Sequence, residues 1–240
     1  MTEVTKDAFF DGQLQLTQSL AGYRFSIDAV LLAAAVRPKP GESILDMGTG
    51  CGIIPLILAT RYPGVQLTGV EVQAELARLA QLNISENRCD DRIKIRHVDL
   101  KLLPDPETPG PYDWVVTNPP YRRPQAGRVN PNEQRALARF ELKVDLVQWM
   151  RTAARLLKVG GRLVTIYSAE RTVDLLSQMR QAAIEPKWMQ AIQSYCGDPA
   201  KLVLVKGVQG GRPGLCVASP LVVYERDGGY TESVREMMRP

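Results

Sequence analysis

From about residue 43 the chain alternates short β-rich runs with helix-like stretches, and this alternation restricts the possible folds more than any other feature. Ser43–Asp46 reads as a short buried strand, followed by a glycine-rich turn and an apolar helix from about Ile53 to Arg61. Val65–Val70 is a second strand. Val72–Glu86 then carries Val72, Leu76, Leu79 and Ala80 at the spacing of an amphipathic helix. Ile93–His97 and Tyr112–Thr117 follow as third and fourth strands. Leu142–Leu157 sets Leu142, Leu146, Trp149, Ala153 and Leu156 on one helical face, and Gly160-Gly161 read as its stop. Arg162–Tyr167 is a fifth strand, and Val173, Leu176 and Met179 share one face of the next helix. Such an order predicts a mainly parallel sheet with helices on both faces. Leu202–Lys206 and Val217–Tyr224 are β-rich with no helix between them, only Gly207–Gly214, so they predict a C-terminal antiparallel hairpin. A ligand of such a sheet is expected outside the carboxyl ends of its strands.

Four of those ends carry candidate chemistry. After the first strand comes Asp46-Met47-Gly48-Thr49-Gly50-Cys51-Gly52, opening a helix. Glycines there let a backbone turn tightly and approach a ligand. No Gly-Lys-Ser/Thr follows, which removes a phosphate-binding P-loop. Glu71 ends the second strand, suited to accept both hydroxyls of a ribose, with a helix N-terminal acid as the plainer alternative. Asp99 ends the third, where it can accept from an amino group or simply serve a turn. The fourth strand ends in Asn118-Pro119-Pro120-Tyr121. The prolines cannot donate ladder hydrogen bonds and hold Asn118 extended. The corner therefore offers an amide, freed carbonyls and an aromatic ring: a grip for a flat, amine-bearing group such as a nucleobase edge. The competing reading is a Pro-Pro turn with a surface tyrosine.

Other classes fall away on composition. Only 30 basic against 26 acidic side chains give a net charge of +4, which permits a polyanionic partner only if the charge is clustered. It is clustered: Arg122, Arg123, Arg128, Arg135 and Arg139 lie beside the corner with one acid, Glu133, among them. Arginine suits phosphate contact and base stacking, with a solvated loop as the alternative. A weaker basic group, Lys187, Lys201, Lys206 and Arg212, surrounds the C-terminal hairpin. The four cysteines are far apart and His97 is the only histidine, so no metal site is expected. Isolated cysteines point to a reducing compartment. The N-terminus lacks an apolar signal region, and Ile27–Val36, interrupted by Asp28, is far shorter than the roughly 20 residues of a membrane span. A cytoplasmic protein is expected, its 240 residues one domain.

Taken together, the glycine loop, Glu71, Asp99 and the Asn118–Tyr121 corner resemble the Rossmann-like S-adenosylmethionine-dependent methyltransferases acting on planar amino groups. A nicotinamide dehydrogenase would share the loop but not explain the corner or the hairpin. With Gly22–Leu32, Ile44–Pro55, Val70–Gln73 and Asn118–Glu141, the chain is similar over roughly residues 12–185 to the bacterial N6-adenine methyltransferases that modify valine tRNA beside the anticodon. The resemblance implies an α/β fold with a mainly parallel seven-stranded sheet, a C-terminal antiparallel hairpin and helices on both faces. It implies one methyltransferase domain, with residues 1–42 a cofactor-capping extension and 43–240 the core. By the same resemblance S-adenosyl-L-methionine is held by Asp28, Asp46, Gly48, Thr49, Gly50, Cys51, Gly52, Glu71, Val72, Asp99, Leu100 and Asn118. Asn118, Pro119, Pro120 and Tyr121 do the catalytic positioning, and Arg122, Arg123 and Arg128 face a tRNA substrate. A monomer without metal or membrane is implied. Alternatives are a glutamine N5 methyltransferase of release factors, a guanine N2 methyltransferase of ribosomal RNA, a DNA enzyme, and a non-enzymatic RNA-binding protein on the same fold. The release-factor enzymes carry a helical domain ahead of the fold, for which the roughly 42 residues before Ser43 are too few.

Overall fold

The computed structural model describes residues 4–19, 26–108, 110–119 and 146–240. Its centre is one sheet of eight strands: β3 (Ser43–Met47), β4 (Gln66–Glu71), β5 (Ile93–His97), β6 (Tyr112–Thr117), β7 (Leu157–Ser168), β8 (Ile184–Gln193), β9 (Leu202–Gln209) and β10 (Cys216–Val222). Their order across the sheet is β10-β8-β9-β7-β6-β3-β4-β5. Only β9 runs against the others, antiparallel to both β7 and β8, while β10 lies parallel to β8. Ahead of the sheet, β1 (Val4–Phe9) and β2 (Leu14–Ser19) form a separate antiparallel hairpin.

Helices cover both faces, so the central strands read as continuous apolar runs rather than alternating ones. Successive side chains still go to opposite sides. Ile44, Val116, Val164 and Ile166 join α1 (Ile27–Ala34) and α2 (Ile53–Arg61) in one core. Leu45, Met47, Val115, Leu163 and Tyr167 join α4 (Leu146–Leu156) and α5 (Thr172–Gln181) in the other. The amphipathic helix α3 (Ala74–Glu86) packs beside β4, β5 and β2, and the short α6 (Glu232–Met237) packs on α1.

The α/β architecture with its mainly parallel sheet and antiparallel hairpin is as expected, with three differences in detail. First, the sheet has eight strands where seven were expected, because β8 is not visible in the sequence pattern. Pro186 interrupts it, and most of its residues are only half-buried. The proline is tolerated where the β8–β9 register slips, between Pro186 and Trp188. Second, the antiparallel hairpin is β8–β9, and the runs Leu202–Lys206 and Val217–Tyr224 are not partners. Gly207 is not a turn residue but part of β9, under α5: a Cβ there would lie 2.5 Å from Met179 Cε and 2.7 Å from Ile184 Cγ2. Third, Gly160-Gly161 do not stop a helix. The helix ends at Leu156, and the glycines lie inside β7, where pairing with β6 moves from Tyr112–Leu157 to Trp114–Arg162. Gly160 has φ +78°, and a Cβ on Gly161 would meet the Lys158 carbonyl at 2.8 Å. A bulge of this kind needs residues without side chains. The expected start of the helix at Leu142 lies outside the described residues.

Gly207→Ala should test the packing role. Chemical unfolding should show a loss of about 1–3 kcal/mol, the usual cost of overpacking. A turn role at this position would leave stability nearly unchanged.

Candidate active site

The glycine loop is built as the sequence requires. Gly48, Gly50 and Gly52 have φ of +77°, +57° and +85°, a region that other residues enter only with strain. The Gly48 and Thr49 N–H groups both donate to the Val70 carbonyl at 2.9 Å, fastening the loop to the end of β4. Gly50 N–H donates to Glu71 Oε2 at 3.0 Å, and Gln73 N–H to Glu71 Oε1 at 2.9 Å. Glu71 is thus a brace between the loop and the entry to α3. Each of its oxygens keeps a second lone pair for a ligand. Burial raises its pKa, while those backbone donors and His97 oppose the rise. His97 itself donates from Nε2 to the Val72 carbonyl at 3.1 Å, in keeping with a structural role.

Four buried polar groups around the loop lack a well-formed hydrogen bond among the described residues, Asp46 and the Thr49 hydroxyl meeting only each other. They are both oxygens of Asp46, the Thr49 hydroxyl, Asn118 Oδ1 and the Trp149 indole N–H. Buried polar atoms are normally satisfied, so a cluster of orphans marks where a ligand's donors and acceptors belong. The set suits the expected cofactor, whose methionyl part brings ammonium donors and a carboxylate. Asp46 is 1% exposed; burial pushes its carboxyl up to about 7, and the nearby charge of Glu71 adds to this. Cys51 offers only backbone here, since burial pushes its thiol up to about 12.

The remaining expected cofactor residues are less uniform. Asp99 is half-buried and caps the short turn Leu100–Leu102, accepting from Lys101 N–H at 3.0 Å. Val72, the residue after Glu71, is half-buried, and Leu100, in the short turn after β5, is buried. Asp28 lies in the first turn of α1, buried, with its pKa raised by that burial. No described hydrogen bond joins it to Asp46, Glu71 or the loop.

The corner stands beside the loop. Met47 of β3 is in register with Thr117 of β6, and the Thr117 hydroxyl donates to the Met47 carbonyl at 2.9 Å. Gly48 and Asn118 therefore leave the sheet side by side. Pro119 is buried. Pro120, Tyr121, Arg122, Arg123 and Arg128 lie outside the described residues. A residue not singled out by the sequence, Trp149 of α4, forms the floor: a Cβ on Gly48 would lie 2.7 Å from its Cη2 atom. In the sequence Trp149 reads only as one more apolar position on a helix face. Among the described residues no group of three His, Cys, Asp or Glu side chains is arranged to hold a metal ion, and no helix is long and apolar enough to cross a membrane.

The Asp46 environment carries a pH signature in the ligand-free protein. Its folded pKa, about 7, lies above the ordinary carboxylate value of 3.8, so the native state holds the proton more tightly. Its contribution to stability should be full below pH 4 and fall as pH rises to about 7. Asp46→Asn should gain on the wild type across that interval in urea titrations at pH 5 and pH 7.5. Parallel curves for the two proteins would remove the claim.

Comparisons with known proteins place the chain in a family. The family model described as methyltransferase small domain matches residues 23–184. The tRNA1(Val) (adenine(37)-N6)-methyltransferase of Haemophilus influenzae strain Rd is 30% identical over 228 residues, 95% of this chain and 94% of that protein. The enzyme of the same name from Tolumonas auensis is 30% identical over 91% of this chain and 90% of its own length, and that from Porphyromonas gingivalis 33% identical over 70% and 68%. Among solved structures, a predicted O-methyltransferase from Agrobacterium tumefaciens superposes with a TM-score of 0.71 at 23% identity, covering 88% of this chain and 94% of that one. The geranyl diphosphate C-methyltransferase of Streptomyces coelicolor follows at 0.56 and 18%, over 75% and 79%. These structures show the shared fold; the identity and coverage of the sequence relatives show that the chain belongs to the methyltransferase small domain family and, within it, to the tRNA1(Val) (adenine(37)-N6)-methyltransferases.

Proposed function

We propose that this protein is an S-adenosylmethionine-dependent methyltransferase, a cytoplasmic monomer that methylates N6 of an adenine in tRNA next to the anticodon. The observation that carries the reading is Asn118 Oδ1: a buried acceptor without a described partner, leaving the sheet in register with the glycine loop. An exocyclic amine is the donor it lacks.

In this reading Asp46 and the backbone of Gly48–Gly52 hold the methionyl part of the cofactor. Glu71 and Val72 hold the ribose, Asp99 and Leu100 the adenine, and Asp28 closes over the amino end. The cofactor supplies a methyl group on a sulfonium, an already activated donor. Asn118 Oδ1 and the Pro119 carbonyl accept the two amine hydrogens of the target base and so aim its nitrogen lone pair. Tyr121 stacks on the base plane, and Pro120 stiffens the corner between them. The amine becomes acidic only as it gains the methyl, so its proton leaves to solvent without a strong general base. The rate gain comes chiefly from positioning. Arg122, Arg123 and Arg128 contact phosphates on either side of the target.

Single-turnover methylation of an unmodified tRNA anticodon stem-loop tests the corner. Asn118→Ala should fold and bind cofactor, yet lose methyl transfer by a factor on the order of 10². Tyr121→Phe should keep most activity, and Tyr121→Ala should lose about 1–3 kcal/mol of stacking. A fully paired duplex should be a poor substrate, because its bases must first be extruded. Full activity in Asn118→Ala, or methyl transfer to a release-factor glutamine in preference to tRNA, would sink the reading.

The arginine segment makes a separate prediction. Replacing Arg122, Arg123 and Arg128 together should weaken tRNA binding and flatten its salt dependence, by about 0.7–0.9 in log–log slope per lost phosphate contact. An unchanged slope would return these residues to a solvated loop.

A further inference from the structure

Helix α3 carries a buried asparagine in its apolar stripe. Asn83 is 0% exposed, on the same face as Leu76, Leu79 and Ala80. Its carboxamide makes three hydrogen bonds to backbone on two different elements. Oδ1 accepts from Thr17 N–H at 2.7 Å, and Nδ2 donates to the Thr17 carbonyl at 3.0 Å. The other Nδ2 hydrogen goes to the Cys51 carbonyl at 2.8 Å, within the glycine loop. Asn87, one turn on, repeats the first half of this pattern against Gln15, accepting from its N–H at 3.0 Å and donating to its carbonyl at 2.7 Å. Four residues of helix advance about 6 Å, close to the roughly 6.8 Å of two residues of strand. The two carboxamides therefore match alternate residues of β2 and take the place of a third strand on its open edge.

Only Asn83 reaches the loop, and the sequence of α2 explains why the loop needs it. In a helix the Cys51 carbonyl would accept from the N–H of residue 55. That residue is Pro55, which has no N–H. The first regular bond is Leu56 N–H to the Gly52 carbonyl at 3.2 Å. Close approach is enforced nearby, where a Cβ on Gly52 would stand 3.3 Å from Ala80 Cβ. One buried carboxamide thus satisfies a loop carbonyl that the helix cannot, and the same group holds the N-terminal hairpin.

We propose that Asn83 is a positioning residue for the cofactor site, coupling the glycine loop to the docked β1–β2 hairpin so that each stabilises the ligand-ready form of the other. The proposal rests on the reading of Asp46–Gly52 as the cofactor loop. Asn87 supplies the control, because it clasps the same hairpin without touching the loop. With S-adenosylhomocysteine as the probe in calorimetry, Asn83→Ala should bind at least about fivefold more weakly than the full-length wild type, the lower end of ordinary coupling between sites. Asn87→Ala should lower the melting temperature yet bind within about twofold of wild type, on the same scale of coupling. A second measurement needs no variant. By reciprocity, saturating probe should slow amide hydrogen exchange in residues 14–19 of the wild type as well as in the loop. Equal weakening by both variants, wild-type affinity in Asn83→Ala, or protection confined to the loop would overturn the coupling. If Asn83→Ala does not fold, the exchange measurement decides. A wild type that fails to bind the probe at all overturns the cofactor-loop reading itself, a result separate from any difference between the variants.

Discussion

A single buried carboxylate organises the carboxyl end of the sheet. Glu71 draws in the Gly50 amide with one oxygen and the Gln73 amide with the other, so the glycine loop and the entry to α3 are set by the same side chain. Backbone amides bound to a charged acceptor in a water-poor site form stronger hydrogen bonds than neutral pairs. The loop would otherwise be a run with three permissive glycines and nothing to choose among its conformations. The Val70 carbonyl, holding Gly48 and Thr49, completes the same arrangement from the main chain. Asp46 stands in contrast one strand over: it too is buried, but no backbone amide of the described residues donates to it, so desolvation raises its pKa with only the Thr49 side chain in opposition.

The opposite end of the sheet is fixed by a different set of contacts, and the division has a physical logic. Asp113 accepts from the Ser43 amide at 2.9 Å and its hydroxyl at 3.0 Å, and pairs with Lys158 at 2.8 Å, joining β3, β6 and β7 where they begin. Trp114 adds an indole bond to Glu42 at 2.7 Å beneath the guanidinium of Arg162, 4.9 Å from the ring. Polar groups at that end are paired with one another. At the ligand end Glu71 and Thr117 are bonded while Asn118 Oδ1 and the Trp149 indole keep open positions, so recognition is concentrated on that rim.

Much of this was legible in the sequence because it depends on local rules. Four strand–helix units, the three positive-φ glycines and the acid at the end of β4 follow from periodicity and from what glycine alone can do, whereas β5 is followed only by the short turn Leu100–Leu102. The Asn118 corner was legible because two prolines end a ladder unmistakably. What escaped was decided by contacts distant in sequence. β8 lacks an alternating pattern because Pro186 interrupts it and most of its residues are only half-buried, and its partners on both sides, β9 and β10, come later in the chain. Gly160 and Gly207 looked like punctuation, but one serves a bulge and the other a close packing contact. The N-terminal hairpin leaves a trace in the sequence, the turn signal Asp11-Gly12 between Phe10 and Leu14. Trp149 and Asn83 read as ordinary members of helix faces. A polar side chain in an apolar stripe was the available clue for Asn83.

The reversal of β9 decides which connections share the ligand rim. Because β8 and β10 run with the core strands, the connections at 194–201 and 223–231 open on the same rim as the Asn118 corner, whereas the glycine-rich connection at 210–215 opens at the far end. The three exposed or half-exposed tyrosines Tyr195, Tyr224 and Tyr230 stack against one another in the first two of these connections, with ring centroids 5.7 and 5.3 Å apart. Tyr224 and Tyr230 also pack against the core that contains α1, so this rim is anchored by its rings as well as by the ladder. A single reversed strand thus turns the chain back without a crossover helix and leaves an aromatic cluster on the rim where the corner opens.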